Sequence, residues 1–123
     1  MQEPSKRVKR MLREQAAKAH ERELHRELTK LDGTFAEWRS GAISSEELTY
    51  RIHKYDTGPA RELWKRYNSG PAEISVAYAI VVGILDRDEV PAELLEAISR
   101  QLDWAQSLQE RGELRAPGDW DGE

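Results

Sequence analysis

Residues 74–85 read Ile-Ser-Val-Ala-Tyr-Ala-Ile-Val-Val-Gly-Ile-Leu, apolar on nearly every side, in a chain of which 34% is charged. A segment of this kind has no face to offer water, so the rest of the chain must be arranged around it. Its β-branched residues would suit a buried strand. No second strand is evident to pair with it, and a lone strand leaves its backbone groups without partners. The stretch also opens on Gly70-Pro71-Ala72-Glu73, a helix-type start. The sequence therefore predicts a buried central helix over 71–86. Gly83 inside it either admits a close neighbour or costs about 1 kcal/mol of helix propensity. The uninterrupted apolar run from Val76 to Leu85 falls well short of the ~20 residues of a membrane-spanning helix.

Helix punctuation surrounds this centre. Thr34 with Glu37 and Ser44 with Glu47 fit the capping box, in which a hydroxyl and a carboxylate each satisfy an orphan backbone N–H. Pro59, Pro71 and Pro91 stand at first helical positions, each followed by an acidic residue (Glu62, Glu73, Glu93) as the helix dipole favours. Gly33, Gly58, Gly70 and Gly112 follow apolar-periodic segments, where C-terminal caps belong. Between these marks run helical stripes: Leu24-Leu28-Leu31, Leu48-Ile52-Tyr55, Ala60-Leu63-Trp64-Tyr67 and Leu95-Ile98-Leu102-Ala105. Helices are predicted over about 5–31, 34–40, 45–56, 59–69, 71–86 and 91–111. The fold class is all-α: a small irregular helical bundle around a buried central helix. An extended charged N-terminal helix (1–31), a compact helical domain (32–112) and a disordered, flexible acidic tail (113–123) are expected.

The 123 residues suit one domain, and the absence of cysteine removes disulfides, thiolate metal sites and thiol nucleophiles. The basic start, MQEPSKRVKRML, is followed by no apolar run and is not a secretory signal. A cytoplasmic protein with no membrane association is expected. Charge is segregated: residues 1–30 hold nine Lys/Arg against five Asp/Glu, residues 86–123 four against eleven. Such ends can pair with each other or serve separate partners.

Little in the chain suggests chemistry. His20 and His25 lie five apart, about 140° off one helix face, where metal chelation needs four. His53 with Asp56 at i+3 is the one candidate acid–base pair, yet no nucleophile accompanies it and a helix-end histidine is the ordinary account. Asp86-Arg87-Asp88-Glu89 lacks the length and glycine of a calcium loop. No phosphate-cradling glycine loop occurs. No catalytic, cofactor-binding or metal-binding residues are expected, and no cofactor.

Partner recognition remains. The N-terminal helix carries few large apolar residues and many opposite charges at i+3 and i+4, which support an exposed helix. Val8, Met11, Leu12, Leu24 and Leu28 are the expected interface toward a partner protein or a second copy as a homodimer. The alternative is nucleic-acid binding through Lys6, Arg7, Lys9, Arg10 and Arg13, and through Arg51, Lys54, Arg61, Lys65 and Arg66 interleaved with Tyr55, Trp64 and Tyr67. Against it, Trp64 and Tyr67 share a helix face with Leu63 and read as core, and the chain is acidic overall. An enzyme using His53 ranks third. Within residues 28–55, Gly41-Ala42-Ile43-Ser44-Ser45-Glu46-Glu47-Leu48 forms a Gly-x-Ile-Ser/Thr-x-x-Glu turn into a helix. This wording resembles the short helical segments of the SHOCT type, which implies a small interaction or oligomerisation unit without catalysis. The sequence expectation is a non-enzymatic helical interaction or regulatory protein.

Overall fold

The computed structural model describes residues 5–120, which form six α-helices, one 3-10 turn and no strand. The helices are α1 (Lys6–Arg39), α2 (Ser45–Thr57), α3 (Pro59–Asn68), α4 (Ala72–Val81), α5 (Ala92–Ala97) and α6 (Ser99–Glu110). The all-α bundle around a central helix is the observed architecture. Residues 75–80 of α4 are all buried, packed between α6 and the first half of α1.

Three boundaries differ from expectation. α1 does not end near residue 31; it continues through Gly33 to Arg39 as one helix of 34 residues, about 50 Å long. Gly33 faces open space, so nothing but its own propensity cost opposes helix there, and Leu31 and Phe35 on either side are part-buried. Thr34 consequently caps nothing: its hydroxyl donates back to the Lys30 carbonyl. The central helix stops at Val81 rather than 86. Gly83 adopts φ +86° and its N–H bonds the Ile80 carbonyl, a left-handed closure that side-chain-bearing residues resist. The helix expected over 91–111 is bent at Ile98 (φ −110°), which joins α5 to α6 while keeping hydrogen bonds to Leu94 and from Leu102. Leu94 is the fully buried member there, and Leu95 only partly so.

The main core joins Val8, Met11, Leu12, Ala16 and Ala19 of α1 to α4, Leu85, Val90, Leu94, Ile98 and Leu102. The first half of α1 is thus an internal element and not a projecting one. A polar clamp seals this end. Asp86 and Glu89 form a reciprocal capping box around the 3-10 turn, and Glu89 also takes a bidentate pair from Arg22 at 2.6 and 2.8 Å and a bond from Lys18 at 3.4 Å. These contacts hold the Glu89 carboxyl down to about 2, the Arg22 hydrogen bonds first and the Asp86 N–H next. At the other end Ser44 caps α2 through Glu47 N–H as predicted, but the Glu47 carboxylate turns to Arg51 at 2.8 Å instead of closing the box.

Residues 113–120 are laid against the bundle and are not a free tail. Tyr78 Oη donates to the Arg115 carbonyl at 2.9 Å, and Gly118 sits beside Arg26 and Lys30. Residues 121–123 of the expected tail lie outside the described residues.

Candidate functional site

The second half of α1 is charged, yet two of its carboxylates are buried. Glu23 is fully buried and Glu27 nearly so. Glu23 accepts hydrogen bonds from Tyr67 Oη at 2.5 Å, Arg66 Nη1 at 3.1 Å and Arg26 Nη2 at 3.2 Å. Glu27 is paired with Arg26 and Lys30. Burial and the Glu23 carboxylate push the Tyr67 phenol upward, so it stays a donor; the neighbouring His20, stacked on it at 5.3 Å, is lowered chiefly by burial. The network ties α3 to α1 and fixes the Arg66 guanidinium. From there Arg66 lies 4.3 Å over the Tyr78 ring and 5.8 Å from that of Trp120. Ser75 Oγ donates to the Arg66 carbonyl at 2.8 Å, locking α4 to the same point.

Above this platform lies a groove of about 530 Å³, lined by Lys65 and Arg66 of α3, Ile74 and Tyr78 of α4, Trp104 of α6, and the 113–120 segment. Ile74 and Trp104 are 41% and 51% exposed, large apolar side chains held in water at the groove's lip. Trp64, read from the sequence as core, is 58% exposed on the adjoining surface of α3, because only Leu63 of that stripe points fully inward. A second hollow of about 450 Å³ lies between α2 and the start of α3, lined by Tyr50, Arg51, Lys54, Tyr55 and Trp120. Neither hollow is lined by histidine. Basic and aromatic walls of this kind hold an anionic or aromatic group by charge and stacking. The indole N–H of Trp120 is buried without an acceptor among the described residues, which costs on the order of 1–3 kcal/mol.

The five expected interface residues do not form one exposed surface. Val8, Met11 and Leu12 are buried in the chain's own core, where α4 and α5 already cover the stripe they form; Leu24 is half-buried and Leu28 exposed. The two basic groups occupy distant parts of the bundle. Arg7 near the start of α1 pairs with Glu93 of α5 at 2.7 Å, and Arg10 lies 3.9 Å from Glu14, beside exposed Lys6, Lys9 and Arg13. In the second group, Arg51 is bound by Glu47 and lies 3.5 Å from Glu37, Lys65 lies 3.8 Å from Glu62, and Arg66 is taken by Glu23; Lys54 lies over Tyr50 and Arg61 is exposed. His53 is exposed and makes no hydrogen bond to Asp56 among the described residues; its carbonyl accepts from Thr57. The described residues contain no cluster of His, Asp and Glu able to hold a metal, and no helix long and apolar enough to cross a membrane.

Sequence reasoning passed over Ile74 and Trp104. For Trp104 a signal was present. It lies two residues past Leu102, about 200° around α6 from the buried stripe. An indole there is placed toward water. No family model, curated protein or solved structure matches this chain; the SHOCT-type turn stands as a local likeness of a turn and its helix cap.

Proposed function

We propose that the chain is a non-enzymatic interaction protein of the regulatory kind, which engages a partner protein on the face formed by α3, α4 and α6. The observation that carries this reading is Trp104 and Ile74 exposed side by side on the lip of a groove whose floor holds Arg66 and Tyr78. Tryptophan and arginine are the residues in which binding energy concentrates when a partner covers them, and cation-bearing rims select the partner's charge. The platform beneath is fixed by the buried Glu23 network, so the face is organised before a partner arrives.

The test is affinity capture from native lysate, with and without nuclease, comparing the full chain with the double variant Trp104→Ala/Ile74→Asp. Both side chains are exposed, so the variant keeps its helical circular dichroism and unfolds near the wild-type temperature. Proteins captured by the wild type and lost from the variant are the expected result. Identical capture by both refutes the reading, and capture that disappears with nuclease replaces it with nucleic-acid binding.

A further inference from the structure

The two hollows share one lining residue, Trp120. Its side chain is the partition between a surface running from Tyr50 on α2 and one running to Trp104 on α6.

The chemistry of the partition is informative. The segment reads Asp119-Trp120-Asp121, an aromatic flanked by carboxyls. Trp120 is set near the Arg66 guanidinium, and Gly118 beside it in the chain lies against Arg26 and Lys30. The walls on either side carry Arg51, Lys54 and Lys65 against the carboxylates Glu47 and Glu62. The walls are thus net basic with aromatic floors, and the segment seated on them carries Glu113 and Asp119 against Arg115 around an aromatic anchor, which is charge complementarity within one chain. The fit is incomplete, because the Trp120 indole N–H finds no acceptor among the described residues while Trp104 and Ile74 stay uncovered.

Resting on the docking face proposed above, we infer that residues 113–120 are an internal stand-in for the partner: the groove takes an acidic, aromatic-bearing segment of another protein, which displaces Trp120 to bind. The stand-in sets a threshold. Apparent affinity falls by the fraction of molecules in which the segment is docked, so an intruding segment must outcompete it. Guanidinium against an indole supplies anchoring, and the basic walls supply selection for carboxylates.

The experiment uses a fluorescein-labelled synthetic peptide, Ala-Pro-Gly-Asp-Trp-Asp-Gly-Glu, copying residues 116–123, and the full chain with and without Trp120→Ala. Anisotropy is expected to show binding at least tenfold tighter to the variant than to the wild type. A peptide with its acids replaced by Asn and Gln binds at least tenfold more weakly. In the wild type, saturating peptide raises amide hydrogen exchange in residues 113–120. That arm decides alone if Trp120→Ala disturbs the fold; Trp120→Leu, which keeps apolar bulk without the indole, is the second variant. Equal affinity of variant and wild type overturns the inference, as does equal binding of the neutral peptide or unchanged exchange in the segment. Concentration-dependent dimerisation of the wild type, absent in Trp120→Ala, also overturns it, since the groove would then take the same segment of a second copy. Should these arms fail while Trp104→Ala/Ile74→Asp still strips captured protein, the docking face stands and only the displacement falls.

Discussion

Replacing Glu23 by alanine tests the network that underlies the proposed docking face. The carboxylate is fully buried and accepts from Tyr67, Arg66 and Arg26 at 2.5, 3.1 and 3.2 Å. Its removal leaves the Tyr67 hydroxyl without that acceptor, at a cost of about 1–3 kcal/mol. Breaking a buried pair by deleting one partner costs about 3–5 kcal/mol in all. Here the stranded cations are not sealed in, since the side chains of Arg26 and Arg66 keep 35% and 21% of their exposure and recover some hydration. That places the loss at the lower end, about 3 kcal/mol, or a melting temperature lower by about 10–15 °C for a chain of this size. Urea unfolding followed by circular dichroism reads it directly. Glu23→Gln keeps an acceptor for Tyr67 and should lose less. Tyr67→Phe alone should cost about 1.5–3 kcal/mol, as expected for a hydrogen bond to a charged group. In a double-mutant cycle Glu23→Ala and Tyr67→Phe must be non-additive, because they remove the same bond. A loss below about 1 kcal/mol for Glu23→Ala, or strict additivity, would refute the argument that this carboxylate holds α3 to α1.

Two further outcomes follow from the fold. The Glu89 carboxyl is held at about 2 from an ordinary value of 4.5, so its contribution to stability is present above the unfolded value and is lost as pH falls from about 4.5 toward 2. Unfolding free energy should decline through that window, and Glu89→Gln should flatten the decline while lowering stability at neutral pH; a variant with the wild-type acid slope counts against the Arg22–Glu89 clamp. The glycines Gly33 and Gly83 have equal room for a methyl group but opposite backbones. Gly33→Ala, inside α1, should stabilise by about 0.5–1 kcal/mol, whereas Gly83→Ala, at φ +86°, should destabilise by about 1–2 kcal/mol; thermal melts with the same sign for both would overturn the helix boundaries described.

How far the sequence reveals such a molecule depends on the range of the force involved. Residues 75–80 were legible as buried because their composition forbids them a wet face, and as helix because of the Gly70-Pro71-Ala72-Glu73 start and the lack of a strand to pair with. The Ser44 cap was legible because its bond spans three residues. The Glu23 site was not. Its partners Arg66 and Tyr67 lie more than forty residues away, and no local pattern distinguishes a carboxylate about to be buried from one left in water. The stripe of Val8, Met11 and Leu12 was visible as a stripe, but periodicity shows that a face needs cover without saying what covers it. A projecting helix seeking a partner and an internal helix under α4 have the same spacing. What periodicity does fix is which residues violate it. Leu102 and Ala105 set the inward side of α6, so Trp104 between them points away from the core to the half-exposed lip of the groove. An indole there buries only about half of its surface on folding, and its 51% exposure beside Ile74 is the feature on which the proposed docking face rests.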